Sequence, residues 1–91
     1  MSGRRTAYEI YWEVLVYCRS PRSFTAIISR CDLNSKTGQE YLDFLVTRGY
    51  LAVENDDGRA RYHSTEQAGD YIRLFTRLYQ DLFGSYPAFR L

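Results

Sequence analysis

Residues 50–65 form the segment that most limits what this chain can fold into. Their side chains alternate between apolar and polar positions on both sides of Asp57-Gly58, a dipeptide typical of a two-residue hairpin turn. The segment lies between two stretches with helical spacing, and an isolated two-stranded hairpin is only marginally stable in water. The hairpin must therefore pack against the flanking helices or contact another molecule.

The pairing within this hairpin depends on the length of its turn. With a two-residue turn, Glu54 faces Arg61. Asp56 then faces Arg59, so both arginines are placed for cross-strand ion pairs. With a four-residue loop over residues 55–58, Arg59 faces Glu54 and Arg61 has no acid opposite it. The sequence leaves both registers open.

Four segments carry the apolar spacing of helices, with apolar residues three and four positions apart. They cover residues 6–19, 23–30, 34–48 and 65–84. Asn34 is a favourable N-cap for the third helix, and Gly49 marks its end. Ser64 and Gln67 have the spacing of a capping box for the fourth helix, which ends at Gly84.

The fourth helix carries two apolar stripes at once. One stripe, at heptad spacing, consists of Ala68, Ile72, Phe75, Tyr79 and Leu82; the other consists of Tyr71, Leu74 and Leu78. One stripe can pack on the chain's own core, and the surplus is best explained by the same helix of a second copy. A single wide contact within the chain is the alternative. The predicted dimer interface consists of Tyr71, Ile72, Phe75, Leu78, Tyr79 and Leu82.

Three helices, a hairpin and a capped fourth helix follow one another in the order of a winged helix-turn-helix domain. A resemblance to small archaeal winged-helix regulators is carried by the segment EYLDFLVTRGYLAVENDDGRARYHSTEQAGDYI, with its leucine spacing, acidic-glycine wing, Thr-Glu pair and glycine. The resemblance implies a mostly α fold with a small β-hairpin. It also implies that helix 34–48 lies in the DNA major groove, with hairpin 51–63 as the wing and an antiparallel coiled-coil dimerisation helix at the C-terminus.

We expect a single winged-helix domain over residues 1–91. Its predicted parts are a core over residues 5–64, a dimerisation helix over residues 65–84 and a tail over residues 85–91.

In this docking mode the N-terminal turn of the third helix faces the base edges. The candidate reading residues there are Ser35, Lys36, Thr37 and Gln39. Gln39 suits adenine and Lys36 suits guanine, whereas the two hydroxyl side chains suit phosphate or less selective contacts. The candidate phosphate contacts are Arg30, Arg59 and Arg61. Arg61 ranks above Arg59, because one of the two hairpin registers leaves Arg61 free.

Two features weigh against a nucleic-acid partner. The net charge is only +1, so no overall positive field attracts DNA. Glu40 and Asp43 lie on the third helix, where carboxylates facing phosphates repel them. The alternative is a winged-helix protein-protein interaction module without DNA binding. The Arg4-Arg5 pair is a further candidate, as a short arm to DNA, although terminal residues are usually mobile.

Gly38 lies inside the third helix, where a glycine costs roughly 0.5 to 1 kcal/mol relative to alanine. Either a bulky neighbour such as Trp12 or Phe24 packs against it, or the helix backbone approaches DNA closely. The packing explanation is favoured.

An enzyme is not expected, and neither a catalytic residue nor a metal ligand or cofactor is predicted. His63 has no cysteine or acid at ligand spacing, and the sequence contains no glycine-rich phosphate loop. Cys18 and Cys31 lack zinc-site spacing and are expected to be small core residues. The sequence has no apolar run of membrane-spanning length and no signal-peptide pattern, so a cytoplasmic protein without a membrane partner is expected.

Overall fold

The structure is a computed structural model that describes residues 5–84. Within that range the chain forms four helices and a three-stranded antiparallel sheet. In chain order the elements are α1 (Ala7–Tyr17), β1 (Arg22–Ser23), α2 (Phe24–Arg30), α3 (Ser35–Thr47), β2 (Leu51–Asp56), β3 (Arg59–Ser64) and α4 (Glu66–Phe83). The predicted fold class, a mostly α winged helix-turn-helix with a small hairpin and a long last helix, is confirmed. The predicted tail, residues 85–91, lies outside the described residues.

The first helix, α1, lies at the centre of the core. Thr6 and Glu9 form a reciprocal capping box at its start, in which each side chain accepts the other residue's backbone N–H. Residues 12–15 are all buried, so consecutive positions around the helix are covered. Such burial around the helix is expected of a central element of the core.

Glu13 places a carboxylate inside this core, where the residue is 0% exposed. Arg5 Nη1 lies 2.5 Å from Glu13 Oε1, and Arg5 Nη2 donates to the backbone carbonyl of Asp32 at 3.2 Å. Asp32 lies between α2 and α3 with a left-handed φ of 58°. A buried charge is tolerated only with a close partner, and Arg5 is that partner for Glu13. Through its two contacts, the Arg5 guanidinium connects the N-terminal segment to α1 and to the α2–α3 turn.

The hairpin has the two-residue turn, with Asp56 paired to Arg59 and positive φ at both Asp57 and Gly58. Positive φ at both central positions is typical of the type I′ turn favoured in hairpins. A third strand, β1, pairs with β3 in the order β1-β3-β2, and the sequence interpretation missed it. The extra strand and the buried Leu51 and Tyr62 explain how so short a ribbon is stabilised.

The helices α2 and α3 approach each other closely at Gly38, which is buried. A Cβ atom at this position would lie 2.5 Å from Ile28 Cγ2 on α2. The packing explanation for Gly38 is confirmed, but the neighbour is Ile28 and not Trp12 or Phe24. Asn34 caps α3 as predicted, since its side chain accepts the backbone N–H three residues on at 2.8 Å.

The predicted capping box at the start of α4 is wrong. The N-cap residue is Thr65, and no side chain caps this helix. Ser64 Oγ instead donates to the carbonyl of Leu15 at 2.5 Å. The helix ends as predicted at Gly84, which is left-handed with φ 73°. No helix within residues 5–84 is both long and apolar enough to cross a membrane.

Cys18 and Cys31 are core residues, as predicted, and both are free thiols. Burial raises the pKa of Cys18 to about 12 and that of Cys31 to about 11, with a further small rise at Cys31 from the Glu13 carboxylate. Both side chains are therefore protonated and unreactive near neutral pH.

A matched pair of glycine substitutions tests the α2–α3 contact. Gly38→Ala should lower the free energy of unfolding by about 1 to 2 kcal/mol, because overpacking outweighs the helix propensity gained. Gly69→Ala, inside α4, should raise it by about 0.5 to 1 kcal/mol, since its Cβ would meet only the flexible Arg73 Nη1 at 3.6 Å. Urea denaturation measures both; a Gly38→Ala protein as stable as wild type would contradict the close contact.

Removal of the Arg5 side chain tests the buried ion pair. Arg5→Ala should lower the free energy of unfolding by about 3 kcal/mol, because the Glu13 charge loses its cation within the core. Arg5→Ala combined with Glu13→Gln should recover part of that loss, since neither charge then remains. The exposed Arg19→Ala is the control and should change stability by less than about 0.5 kcal/mol in the same denaturation experiment.

Candidate nucleic-acid interface

The third helix, α3, presents one face to the core and the other to solvent. Gly38, Leu42 and Leu45 are buried, at the three-and-four spacing of one helix face. At the N-terminal end Ser35 and Lys36 are exposed, and the predicted readers Thr37 and Gln39 are half-buried. The structure thus brings all four predicted reading residues to the start of α3, on or beside its solvent face.

Gln39 is held by its own helix. Its Nε2 donates to Asp43 Oδ1 at 2.8 Å, one turn further along α3. One amide N–H and the amide oxygen remain available, which is the pair needed for a bidentate contact with adenine. Asp43 therefore orients the amide of Gln39, a role that sequence reasoning did not give it.

The charged side chains of the wing, which comprises β2, β3 and their turn, lie on the side of the hairpin opposite to Leu51 and Tyr62. Their side-chain contacts run diagonally across the strands. Arg61 Nε lies 3.8 Å from Asp56 Oδ2, and His63 Nε2 lies 3.0 Å from Glu54 Oε2. An acid therefore does lie beside His63, across the strands and not at a short sequence spacing.

The reason for ranking Arg61 above Arg59 is wrong. The two-residue turn is the one present, and it is Arg61 that pairs with Asp56. Arg59 is exposed and makes no ion pair within residues 5–84. Arg59 is therefore the more available of the two guanidinium groups.

Two further arginines meet at the ring of Tyr17. Arg22 Cζ lies 4.2 Å from the ring centroid, and Arg30 Cζ lies 6.0 Å from it. Arg22 Nε also donates to the carbonyl of Tyr17 at 3.0 Å, so this side chain is held in place by the fold. Arg30 is exposed at the end of α2, just before the turn that leads into α3.

Of the predicted N-terminal arm, Arg4-Arg5, the structure describes Arg5. Arg5 is bound to Glu13 and to the carbonyl of Asp32, so its guanidinium is an internal contact and is not available to DNA. Arg4 lies outside residues 5–84, which the structure describes.

A second exposed surface lies along α4. Its large apolar side chains, with exposed fractions of 55 to 69%, are Tyr8, Leu74, Leu78, Leu82 and Phe83. They border a recess of about 540 Å³ between the start of α1 and the second half of α4, which we call the α4 groove. None of residues 73–83 is buried, although many are apolar. Leu74, Leu78 and Leu82 recur every fourth residue, so they form one stripe.

Ile72 does not belong to this surface. It was predicted at the dimer interface but is 6% exposed, and it lies in the core of the same chain. Phe75 is half-buried, with its ring centroid 6.3 Å from that of Trp12. Tyr71 donates its hydroxyl to the carbonyl of Tyr8 at 2.5 Å, and burial raises the pKa of this phenol. Of the predicted interface residues that border the α4 groove, Leu78 and Leu82 are exposed, whereas Tyr71, Phe75 and Tyr79 are half-buried.

Within the described range, no group of three or more His, Cys, Asp or Glu side chains is arranged to hold a metal ion.

The arrangement of these elements defines a winged helix-turn-helix protein, with α2 and α3 as the helix-turn-helix unit and β2–β3 as the wing. The model of the winged helix-turn-helix family matches residues 4–81, and the chain belongs to this family. No curated protein matches the sequence significantly.

Several solved structures share the fold. Sso10a-2, a DNA-binding protein from Sulfolobus solfataricus, superposes with a TM-score of 0.74 at 28% identity, over 88% of this chain and 87% of that one. The homodimeric winged helix-turn-helix DNA-binding domain of Mb0332 from Mycobacterium bovis gives 0.63 at 20% identity, over 84% and 73%. Sco5413, a MarR family transcriptional regulator from Streptomyces coelicolor, gives 0.69 at 20% identity, over 84% and 59%. The last two similarities establish the fold alone.

Proposed function

We propose that the protein is a cytoplasmic transcriptional regulator that binds double-stranded DNA sequence-specifically as a homodimer. The observation that carries this proposal is the orientation of α3. Gly38, Leu42 and Leu45 fix one face of α3 in the core, so Ser35 and Lys36 at its start face solvent. That is the end of the helix that contacts base edges in helix-turn-helix proteins.

Each side chain at this end has a proposed role. Gln39, oriented by Asp43, reads adenine, and Lys36 reads guanine. Ser35 and Thr37 contact phosphate, as do the backbone amide groups of Ser35 and Lys36, since the Asn34 cap already binds that of Thr37.

The proposed phosphate contacts beside the helix are Arg30 and Arg59. Arg30 is exposed at the end of α2, and Arg59 is exposed near the tip of the wing. Arg61 contributes less, because its guanidinium lies beside the Asp56 carboxylate. This assignment keeps all three predicted arginines but reverses the order of the two on the wing.

The similar structures support both parts of the proposal. Sso10a-2 is a DNA-binding protein, and the Mb0332 domain is a homodimeric DNA-binding domain. We propose that residues 5–64 form the DNA-binding core and that residues 65–84 form the dimerisation helix.

The α4 groove supplies the surface for a second copy. A contiguous exposed apolar stripe of this kind marks an association site in a small protein. In a twofold dimer the same stripe faces itself, so the leucines of one α4 pack against the α4 groove of the partner. The two copies of α3 would then read half-sites one helical turn of about 34 Å, or a multiple of it, apart.

A protein-protein interaction module is the second candidate, and the charges of the exposed surface favour it. The exposed part of α3 carries Lys36 against two carboxylates, Glu40 and Asp43. The wing carries two arginines against three carboxylates. A surface with no excess of positive charge attracts DNA weakly, since phosphate neutralisation supplies most of the non-specific affinity.

Selection of bound sequences from random duplex DNA separates the two candidates. We expect enrichment of a palindrome by the wild-type protein. Gln39→Ala should then weaken binding to the selected site by about 1 to 3 kcal/mol and relax the preference at one position of each half-site. Failure to enrich any sequence would contradict DNA reading and favour the interaction module.

The salt dependence of the affinity tests the phosphate contacts. Arg59→Ala should weaken binding to all sequences alike and reduce the slope of log K against log salt by about 2, one for each protomer. Arg77→Ala is the control, because Arg77 is exposed on α4, outside the proposed DNA surface, and should leave the slope unchanged. Equal slopes for Arg59→Ala and wild type would remove Arg59 from the site.

A single charge in the α4 groove tests the dimer. Leu78 is 55% exposed, so Leu78→Lys should leave the monomer fold intact while it places a cation in the proposed apolar interface. Sedimentation equilibrium should give a dimer mass for wild type and a monomer mass for the variant. Gln80→Lys makes the same charge change on the polar side of α4 and should remain dimeric. A dimeric Leu78→Lys protein would contradict this interface.

A further inference from the structure

The segment that follows α3, residues 48–50, is hydrogen bonded to the start of α4 through residues 65 and 67, a contact that we call the α3–α4 joint. Thr65 Oγ1 donates to the carbonyl of Gly49 at 2.6 Å, and the Thr65 N–H donates to the carbonyl of Tyr50 at 3.0 Å. The last carbonyl groups of α3 are bound locally, by the backbone N–H groups of residues 48–50. Thr65 binds the carbonyl groups of two residues that connect α3 to β2, from a position 16 residues away from Gly49.

A second side chain of α4 reaches the same place. Gln67 Nε2 donates to the carbonyl of Arg48 at 3.4 Å. Gly49 has a left-handed φ of 83°, and a Cβ there would lie 3.2 Å from Gln67 Oε1. Glycine at this position thus serves both the conformation of the helix end and the close approach of α4.

No side chain caps the start of α4, because the Thr65 hydroxyl takes part in the α3–α4 joint. Thr65 is the N-cap residue, yet its hydroxyl bonds to Gly49 and not to the first turn of α4. A threonine cap is typically worth about 1 kcal/mol to a helix. Ser64, the residue before it, is also occupied elsewhere, since its Oγ donates to the carbonyl of Leu15 at 2.5 Å and its N–H to that of Cys18 at 2.8 Å. Together with the core packing of Ala68 and Ile72, these polar groups fix the direction in which α4 leaves the core.

The direction of α4 matters because the helix is long, so a small change of angle at its start moves its far end by several ångströms. Its 18 residues span roughly 27 Å at 1.5 Å per residue. A rotation of about 10° at its start would displace its far end by roughly 5 Å, which exceeds the 3.4 Å between successive base pairs. An error of that size between two copies of α3 is enough to misplace one half-site by a base pair.

We propose that Thr65 and Gln67 are positioning residues that set the spacing between the two DNA half-sites. They touch no DNA themselves, and they act by holding α4, the dimerisation helix, at a fixed angle to α3, the reading helix. This inference rests on the proposed function, because it requires both DNA reading by α3 and dimerisation through α4.

The test compares wild type with Thr65→Val combined with Gln67→Met. Both substitutions keep the side-chain shape and remove the side-chain donors, while the backbone bond from Thr65 N–H to Tyr50 remains. Little helix stability is lost, because Thr65 does not cap α4. Affinity is measured for duplexes whose selected half-sites are one or two base pairs closer or further apart. We expect wild type to prefer one spacing over its neighbours by about tenfold, equivalent to 1.4 kcal/mol. The variant should show less than about a threefold preference, with its affinity for a single half-site within about twofold of wild type.

Thr65→Ser is the rescue variant, because it keeps the hydroxyl donor and should restore the preference for one spacing. If the double variant fails to fold, Thr65→Val alone takes its place. Wild-type spacing preference in the variant would overturn the proposal, and so would loss of spacing preference together with loss of half-site affinity. If wild type selects no DNA sequence, the proposed function fails and this inference falls with it. If wild type selects a palindrome but the variant keeps the wild-type spacing preference, only this inference fails.

A distance measurement follows the joint directly. Spin labels on Lys36→Cys and Asp81→Cys of one chain, diluted with unlabelled protein, report the distance between the start of α3 and the far end of α4. This distance varies with the angle between the two helices. The native thiols do not compete for the label, because Cys18 and Cys31 are buried in the core. The distance distribution should be narrow in wild type and broader in the double variant. An unchanged width would overturn the positioning role.

Discussion

The contact between the α2 and α3 helices at Gly38 is the constraint on which the rest of the structure depends. Only a hydrogen fits there, because a methyl group would lie 2.5 Å from Ile28 Cγ2. This close approach fixes the rotation of α3 about its own axis, with Leu42 and Leu45 directed into the core. The exposure of the opposite side at Lys36 follows from that rotation. The candidate DNA surface is therefore a consequence of backbone packing on the reverse side of the helix.

Around this contact, two sets of polar bonds hold the segments on either side of α3, the proposed reading helix. At its start, the Arg5 guanidinium connects the buried Glu13 carboxylate to the carbonyl of Asp32 in the α2–α3 turn. At its end, Thr65 holds the carbonyl of Gly49. Both sets use side chains that are distant in sequence from the segments they hold. The fold thus limits the movement of α3 with directional bonds, in addition to the apolar core that stabilises it.

The helices and the hairpin were predictable from the sequence because their signals are local. The cap Asn34, the turn Asp57-Gly58 and the terminator Gly84 each act through neighbouring residues. Strand β1 was missed because two residues carry no periodicity. Ser64 was misread as part of a capping box because its acceptor, Leu15, is 49 residues away.

The candidate site was predictable in outline but not in its contacts. The four candidate residues lie at the start of α3, where the sequence placed them, because the helix position follows from apolar periodicity and from the Asn34 cap. The relative availability of the two wing arginines was not predictable, because side chains pair diagonally across the strands and Arg61 contacts Asp56. For the proposed function, the close balance of charge on α3 and the wing leaves little general attraction to phosphate. Binding must then depend on base contacts made by two correctly spaced copies of α3, so the stiffness of the α3–α4 joint becomes a determinant of specificity.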